Sequence, residues 1–220
     1  MTDATARFET IRYEVEERVA TITMNRPERH NAFTVAMARE LRAAWAAVKQ
    51  DPAVVCVVLT GAGDKAFCTG MDVADIADGS ARAEAARIER EEGRPFYEFL
   101  TALQNRCWKP VVTAVNGMVV GGGFHFLADS DLIVASQTAT FFDTHVKVGL
   151  VAGLEPVGLA RRIPLEAVLR LALLGGSERM SAEEALACGL VGELQPPHRV
   201  VLRARELAAK IAEHSPAALA

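Results

Sequence analysis

The sequence predicts an α/β protein: a largely parallel sheet linked by crossovers and closed by a helical region. Three observations carry that expectation. Val54–Leu59 is a continuous run rich in β-branched residues, and Val111–Val115 reads as a second buried strand, both of the kind expected in strands covered on both faces. Strand and helix signals alternate through the first two thirds of the chain, as parallel strands with crossover connections require. After Gly153 the pattern turns mainly helical.

Taken in order, Phe8 to Val15 and Val19 to Met24 read as a hairpin. Asn25-Arg26-Pro27 ends it, because proline has no amide to donate. Thr34 is placed to cap a helix running to about Gln50, with Met37, Leu41, Ala44, Trp45 and Val48 on one face. Asp51-Pro52 stops that helix before the first buried run. Ala81 to Glu92, rich in Ala, Glu and Arg, predicts an exposed helix. Pro110 introduces the second buried run, and Asn116-Gly117 follows it. Then comes a short apolar stretch, and Gly121-Gly122-Gly123 opens a helix. Asp131 to Val134 is the next strand, and helices are expected over Leu159 to Arg162, Leu165 to Leu174, Ala182 to Cys188 and Val200 to Ala212.

Composition narrows the function classes. The chain has 220 residues, half of them hydrophobic, which suits one domain with a sizeable core. Its net charge of −4 is spread without a basic run, which argues against nucleic acid or an anionic membrane as partner. Cys56, Cys68, Cys107 and Cys188 form no CxxC pair, so a metal site or disulfide framework is not expected and a reducing compartment is. No leader pattern and no membrane-spanning stretch are visible, so a soluble cytoplasmic protein is expected.

Two strand-to-helix junctions carry the chemical signal. One reads Lys65-Ala66-Phe67-Cys68-Thr69-Gly70-Met71-Asp72 and the other Asn116-Gly117-Met118-Val119-Val120-Gly121-Gly122-Gly123-Phe124-His125. Glycines let backbone amides approach a ligand, and amides at a helix N-terminus point outward toward negative charge. Two such junctions side by side would aim two amides at one developing oxyanion. Close helix–strand packing is an equally good reading of the triple glycine alone. A dinucleotide fingerprint fits poorly, because Phe126 stands where a third small residue is needed, and no Gly-Lys-Ser or Gly-Lys-Thr loop is present.

The segments FCTGMD and KPVVTAVNGMVVGGGFHFLADSDLIVAS, with NRPERHNAF before them and RMSAEEALACGLVGEL after, resemble the crotonase, or enoyl-CoA hydratase/isomerase, superfamily. The resemblance implies a spiral of ββα units over residues 1–195, with 196–220 as the start of a C-terminal helical region that is incomplete. It implies a homotrimer or a dimer of trimers, and an acyl-CoA thioester as substrate. Coenzyme A would then enter as part of the substrate and no separate cofactor is expected. Carried over by position, the resemblance puts the oxyanion-hole amides on Met71 and Gly122. Backbone at Ala66, Gly70, Met71, Asp72, Val73 and Ala74, together with Gly121 and Gly122, would lie along the substrate. The loop from Arg26 to Ala32 would meet the nucleotide end, where Arg26 and Arg29 are suited either to phosphate or to a plain surface role.

At two positions the chain departs from the family pattern. Hydratases of this family carry one glutamate directly after the glycine run and another in a segment like FGQPE, whereas this chain reads His125 and His145 at the matching places. Histidines titrating near ~6.5 suit base and acid roles, one neutral and one protonated. Hydration or isomerisation of an enoyl-CoA is therefore expected with histidines as proton-transfer groups. Hydrolytic cleavage of a carbon–carbon bond in a β-dicarbonyl, or acyl-CoA binding without turnover, stand as alternatives. Glu155 is a plausible third active-site residue, and Asp143 would share a side with His145 if the segment is extended. Asp129, four residues after His125, reads more readily as helix-end polarity. Metal binding by the two histidines lacks an evident third ligand.

Overall fold

The computed structural model describes residues 8–219; residues 1–7, where no leader was expected, and Ala220 lie outside the described residues. The strands in chain order are β1 (Ile11–Glu16), β2 (Val19–Met24), β3 (Cys56–Gly61), β4 (Ala66–Cys68) and β5 (Val111–Val115). They continue with β6 (Met118–Val120), β7 (Leu132–Ser136), β8 (Thr140–Phe142), β9 (Met180–Ser181) and β10 (Glu193–Gln195). The larger sheet has the order β1-β2-β3-β5-β7-β10 and the smaller β4-β6-β8-β9. Successive pairs β3–β4, β5–β6 and β7–β8 each give one strand to the large sheet and the next to the small one. That repeated hand-over makes the crotonase-like spiral.

Side-chain alternation explains why the large sheet holds. In β3, Val57 and Leu59 enter one core cluster while Cys56 and Val58 enter another; in β5, Val111 and Val115 face the first cluster and Val112 and Ala114 the second. The first cluster is closed by α1 (Val35–Gln50), whose Met37, Leu41, Ala44 and Trp45 are buried beneath the Thr34 cap. The shorter helices α2 (Val73–Ala77), α3 (Gly79–Glu92) and α4 (Phe124–Ala128) follow, then α5 (Leu154–Leu159), α6 (Leu165–Leu174) and α7 (Ala182–Ala187). Helix α8 (Val200–Ala212) covers the opposite sheet face through Ala204, Ala208 and Ala212, whose small side chains at four-residue spacing let it lie close, and α9 (Pro216–Leu219) ends the described chain.

Several boundaries differ from the sequence expectation. The helix expected over Leu159 to Arg162 is instead α5, because Pro156 sits in its first turn, where proline loses no hydrogen bond. The strands expected from Val54 and from Asp131 begin at Cys56 and Leu132. Strands β4, β6, β8 and β9 went unpredicted: two or three residues are too short for a period-two signal to emerge. Among the described residues no helix is long and apolar enough to cross a membrane.

Candidate active site

Strand β4 pairs with β6 in the small sheet, which brings the two glycine-bearing junctions side by side. Gly70 lies at φ 85°, and a Cβ there would come within 3.0 Å of the Gly122 nitrogen. The absence of a side chain at 70 is therefore what leaves that amide open. Gly123 is excluded from growing for a different reason, since its Cβ would meet the Cys68 carbonyl oxygen at 2.5 Å. The packing reading of the triple glycine thus holds at Gly123, which sets helix against strand, while Gly122 lies against the Phe33 ring at the edge of a cavity. Phe33 donates its amide to the Gly70 carbonyl and accepts from the Asp72 amide, which pins Met71 between them. Among the described residues, neither the Met71 nor the Gly122 amide donates to a turn or loop carbonyl or to a side chain.

Both residues line a cavity of about 310 Å³ that also takes in His125, His145 and Glu155. His125 extends from the first turn of α4, and Glu155 from the first turn of α5, which packs on α4. His125 Nε2 lies 3.2 Å and His145 Nε2 3.6 Å from the same oxygen, Glu155 Oε1. On the other side of its ring, the His145 Nδ1–H donates to Asp143 at 2.9 Å, and the His145 amide donates to Asp143 Oδ1 at 2.7 Å. Both ring nitrogens of His145 therefore face carboxylates. The bond to Asp143 raises its pKa above the ordinary 6.5; burial opposes this, and the charges of Asp143 and Glu155 reinforce it. Burial pushes the Glu155 carboxyl up, but contact with His125 and the charge of His145 outweigh it and leave the carboxyl below its usual 4.5.

A second, more open cavity of about 430 Å³ shares Met71 with the first and is bordered by Arg29, Ala32, Asp72, Val73 and Ala74. Asp72 is almost wholly buried there. It accepts from Arg26 Nη2 at 3.0 Å and from Arg29 Nη2 at 3.2 Å, and caps α2 through the Ala74 amide at 3.1 Å. Arg26 also donates to the Ala32 carbonyl at 2.6 Å. Both arginines are thus turned onto a protein carboxylate.

Of the residues singled out from sequence, Met71, Gly122, His125, His145 and Glu155 meet in one cavity and Arg29, Ala32, Asp72, Val73 and Ala74 in the other. Gly121, at φ 50°, backs onto the His145 ring. Ala66 is in neither cavity; it is buried in β4, with its carbonyl held by the Asn31 and Asn116 side chains. Asp143 does support His145, but through a tight turn, not an extended segment: His145 has φ −55° and ψ −51°. Asp129 turns away from His125 to accept from the Thr101 hydroxyl at 2.6 Å, in keeping with helix-end polarity. Sequence reading missed Phe33, Tyr97, Leu150, Val151 and Leu154 as cavity walls. Phe33 follows directly on the NRPERHNA run and was within reach of that signal, whereas nothing local marks Tyr97. Among the described residues no group of three or more His, Cys, Asp or Glu side chains is arranged to hold a metal ion.

Comparison with known proteins identifies the family. The family model described as enoyl-CoA hydratase/isomerase matches residues 14–220. The chain is 38% identical over 204 residues to the (E)-benzylidenesuccinyl-CoA hydratase of Thauera aromatica, covering 92% of this chain and 76% of that protein. An enoyl-CoA hydratase/isomerase from Mycobacterium paratuberculosis superposes with a TM-score of 0.84 at 40% identity, covering 96% of this chain and 79% of the other. A carnitinyl-CoA hydratase from Mycobacterium avium gives 0.80 at 35%, covering 96% and 77%. By matched length, identity and shared architecture, this chain is an enzyme of the enoyl-CoA hydratase/isomerase family within the crotonase superfamily.

Proposed function

We propose that this enzyme adds water across the double bond of an enoyl-CoA thioester, with Met71 and Gly122 amides holding the enolate oxygen. The observation that carries this reading is one cavity lined both by Met71 and Gly122 and by a carboxylate set between two imidazoles. His125 and His145 take the places that glutamates hold in hydratases of the family, and Glu155 supplies a carboxylate from a different helix.

The depressed Glu155 pKa keeps it ionised, and the raised His145 pKa favours imidazolium. Glu155 then accepts a proton from a water held against His125, and the hydroxyl oxygen bonds to the β-carbon. The electron pair of the double bond moves onto the thioester oxygen, where the two amides receive the charge. His145 gives its Nε2 proton to the α-carbon as the enolate collapses. The step leaves Glu155 protonated and His145 neutral, and proton transfer across their 3.6 Å gap restores both.

The thioester's nucleotide end would run over Met71 into the second cavity, with Val73 and Ala74 alongside and Arg29 at its border. Coenzyme A is then part of the substrate, with no separate cofactor. Four free cysteines, three of them buried, accord with work in the cytoplasm. Exposed Leu165, Leu169 and Leu173 on α6 suit a homotrimer or a dimer of trimers.

A second reading rests on the Asp143–His145 pair, which resembles the oriented base of hydrolytic triads. Neutral His145 would take a proton from water attacking a β-carbonyl, the α–β carbon–carbon bond would break, and the same amides would hold the departing enolate. Crotonyl-CoA separates the two: loss of the enoyl absorbance is expected, and its absence alongside cleavage of a 3-oxoacyl-CoA would favour hydrolysis. Gly70→Ala, which crowds the Gly122 amide, is expected to lower kcat about 10²-fold on either substrate.

A further inference from the structure

We infer that the acyl end of this site selects an aryl-bearing acyl chain, and that Tyr97 sets the selection; the inference rests on the acyl-CoA reading above. Phe33, Phe96 and Tyr97 form a continuous edge-to-face run. The Phe33 and Phe96 centroids are 6.4 Å apart at 67°, and those of Phe96 and Tyr97 are 5.6 Å apart at 71°. Phe96 is buried in the middle, and the two end rings, Phe33 and Tyr97, line the cavity. The run begins at the reacting centre: a Cβ on Gly122 would touch the Phe33 ring at 2.9 Å.

An acyl chain whose thioester oxygen lies at Gly122 therefore leaves the reacting centre along an aromatic wall ending at Tyr97. Leu150, Val151 and Leu154 add aliphatic surface to the lining, whose polar side chains His125, His145 and Glu155 belong to the reacting centre. Aromatic rings favour edge-to-face neighbours at 4.5–7 Å, so a substrate ring extends the run already present, while a saturated ring of the same size gains only buried area. Burial first, and then the charges of Glu89, Glu98 and Glu155, raise the Tyr97 pKa, so the phenol remains a neutral wall.

The test compares 3-phenylpropanoyl-CoA with 3-cyclohexylpropanoyl-CoA, both saturated at the α- and β-carbons, by calorimetric titration of the intact protein. The phenyl thioester is expected to bind about fivefold tighter or more. Tyr97→Leu is expected to bring the ratio below about twofold, and Tyr97→Phe to keep it. Equal affinities in the unaltered protein, or a ratio that survives Tyr97→Leu, would overturn the inference. Because the readout is binding, a failure of turnover with crotonyl-CoA sinks the hydration reading alone; absence of binding by either thioester sinks both.

Discussion

Two buried carboxylates, Asp72 and Glu155, each sit between two basic side chains, one in each of the neighbouring cavities. Asp72 lies between Arg26 and Arg29, and Glu155 between His125 and His145. In both, burial pushes the carboxyl up and the partners outweigh it. The difference lies in the partners. Guanidinium does not release a proton, so the Asp72 cluster is a fixed joint between the Arg26–Ala32 loop and α2. Imidazole can release a proton where guanidinium cannot, so on the proposed mechanism the Glu155 cluster passes protons without moving any chain segment. Similar electrostatics thus serve architecture in one place and, on the proposed mechanism, proton chemistry in the other.

Exchanging each carboxylate for its amide breaks the comparison most directly. Glu155→Gln keeps the shape and removes the base, and kcat in the hydration assay is expected to fall about 10³-fold with little change in KM. An enzyme that kept a tenth of its kcat would remove Glu155 from the proton path. His145→Asn is expected to cost about 10²-fold in kcat, and Asp143→Asn less, since Asp143 acts on substrate only through His145. A merely structural Asp143 would leave the pH profile in place, whereas a positioning role shifts its alkaline limb downward.

The pH dependence follows from the shifts. Glu155 must be ionised, so the acid limb is expected below 4.5; His145 must be protonated, so the alkaline limb is expected above 6.5. Stability follows the same signs. The raised His145 pKa gives a contribution fully present below 6.5 and lost as pH climbs through its folded value. The lowered Glu155 pKa gives one present above 4.5 and lost as pH falls through its folded value. Thermal unfolding against pH should show both contributions between those limits, and His145→Asn should flatten the upper flank.

The smallest catalytic effect belongs to the fixed joint. Asp72→Asn is expected to leave kcat within about twofold and to raise KM severalfold. It should also cost about 1–3 kcal/mol of stability, from lost charged hydrogen bonds partly shared with solvent at half-exposed Arg29. A kcat loss as large as that of Glu155→Gln would mean that the two clusters do not divide the work in this way.

The parts of this protein that repeat or run long were legible in its sequence. Thr34 and the buried face of α1 announced that helix, and the β-branched runs announced β3 and β5, because local periodicity and capping act over a few residues. The GGG run and FCTGMD pointed to two neighbouring amides, since only glycine permits that backbone and that approach. The convergence of His125, His145 and Glu155 on one oxygen was not written locally. It depends on α5 packing against α4 and on a turn that lays Asp143 against His145. The Phe33–Phe96–Tyr97 run likewise joins Phe33 to a neighbouring pair distant from it in sequence. Which glycine packs and which one faces the cavity was settled only when β4 and β6 paired, because clearance is a property of neighbouring strands. Sequence by itself therefore determined β1, β2, β3, β5 and β7, the main helices and the glycine junctions. Tertiary structure alone decided that His125, His145 and Glu155 converge in one cavity and that Phe33 and Tyr97 line it, because burial and distance arise from packing between distant segments.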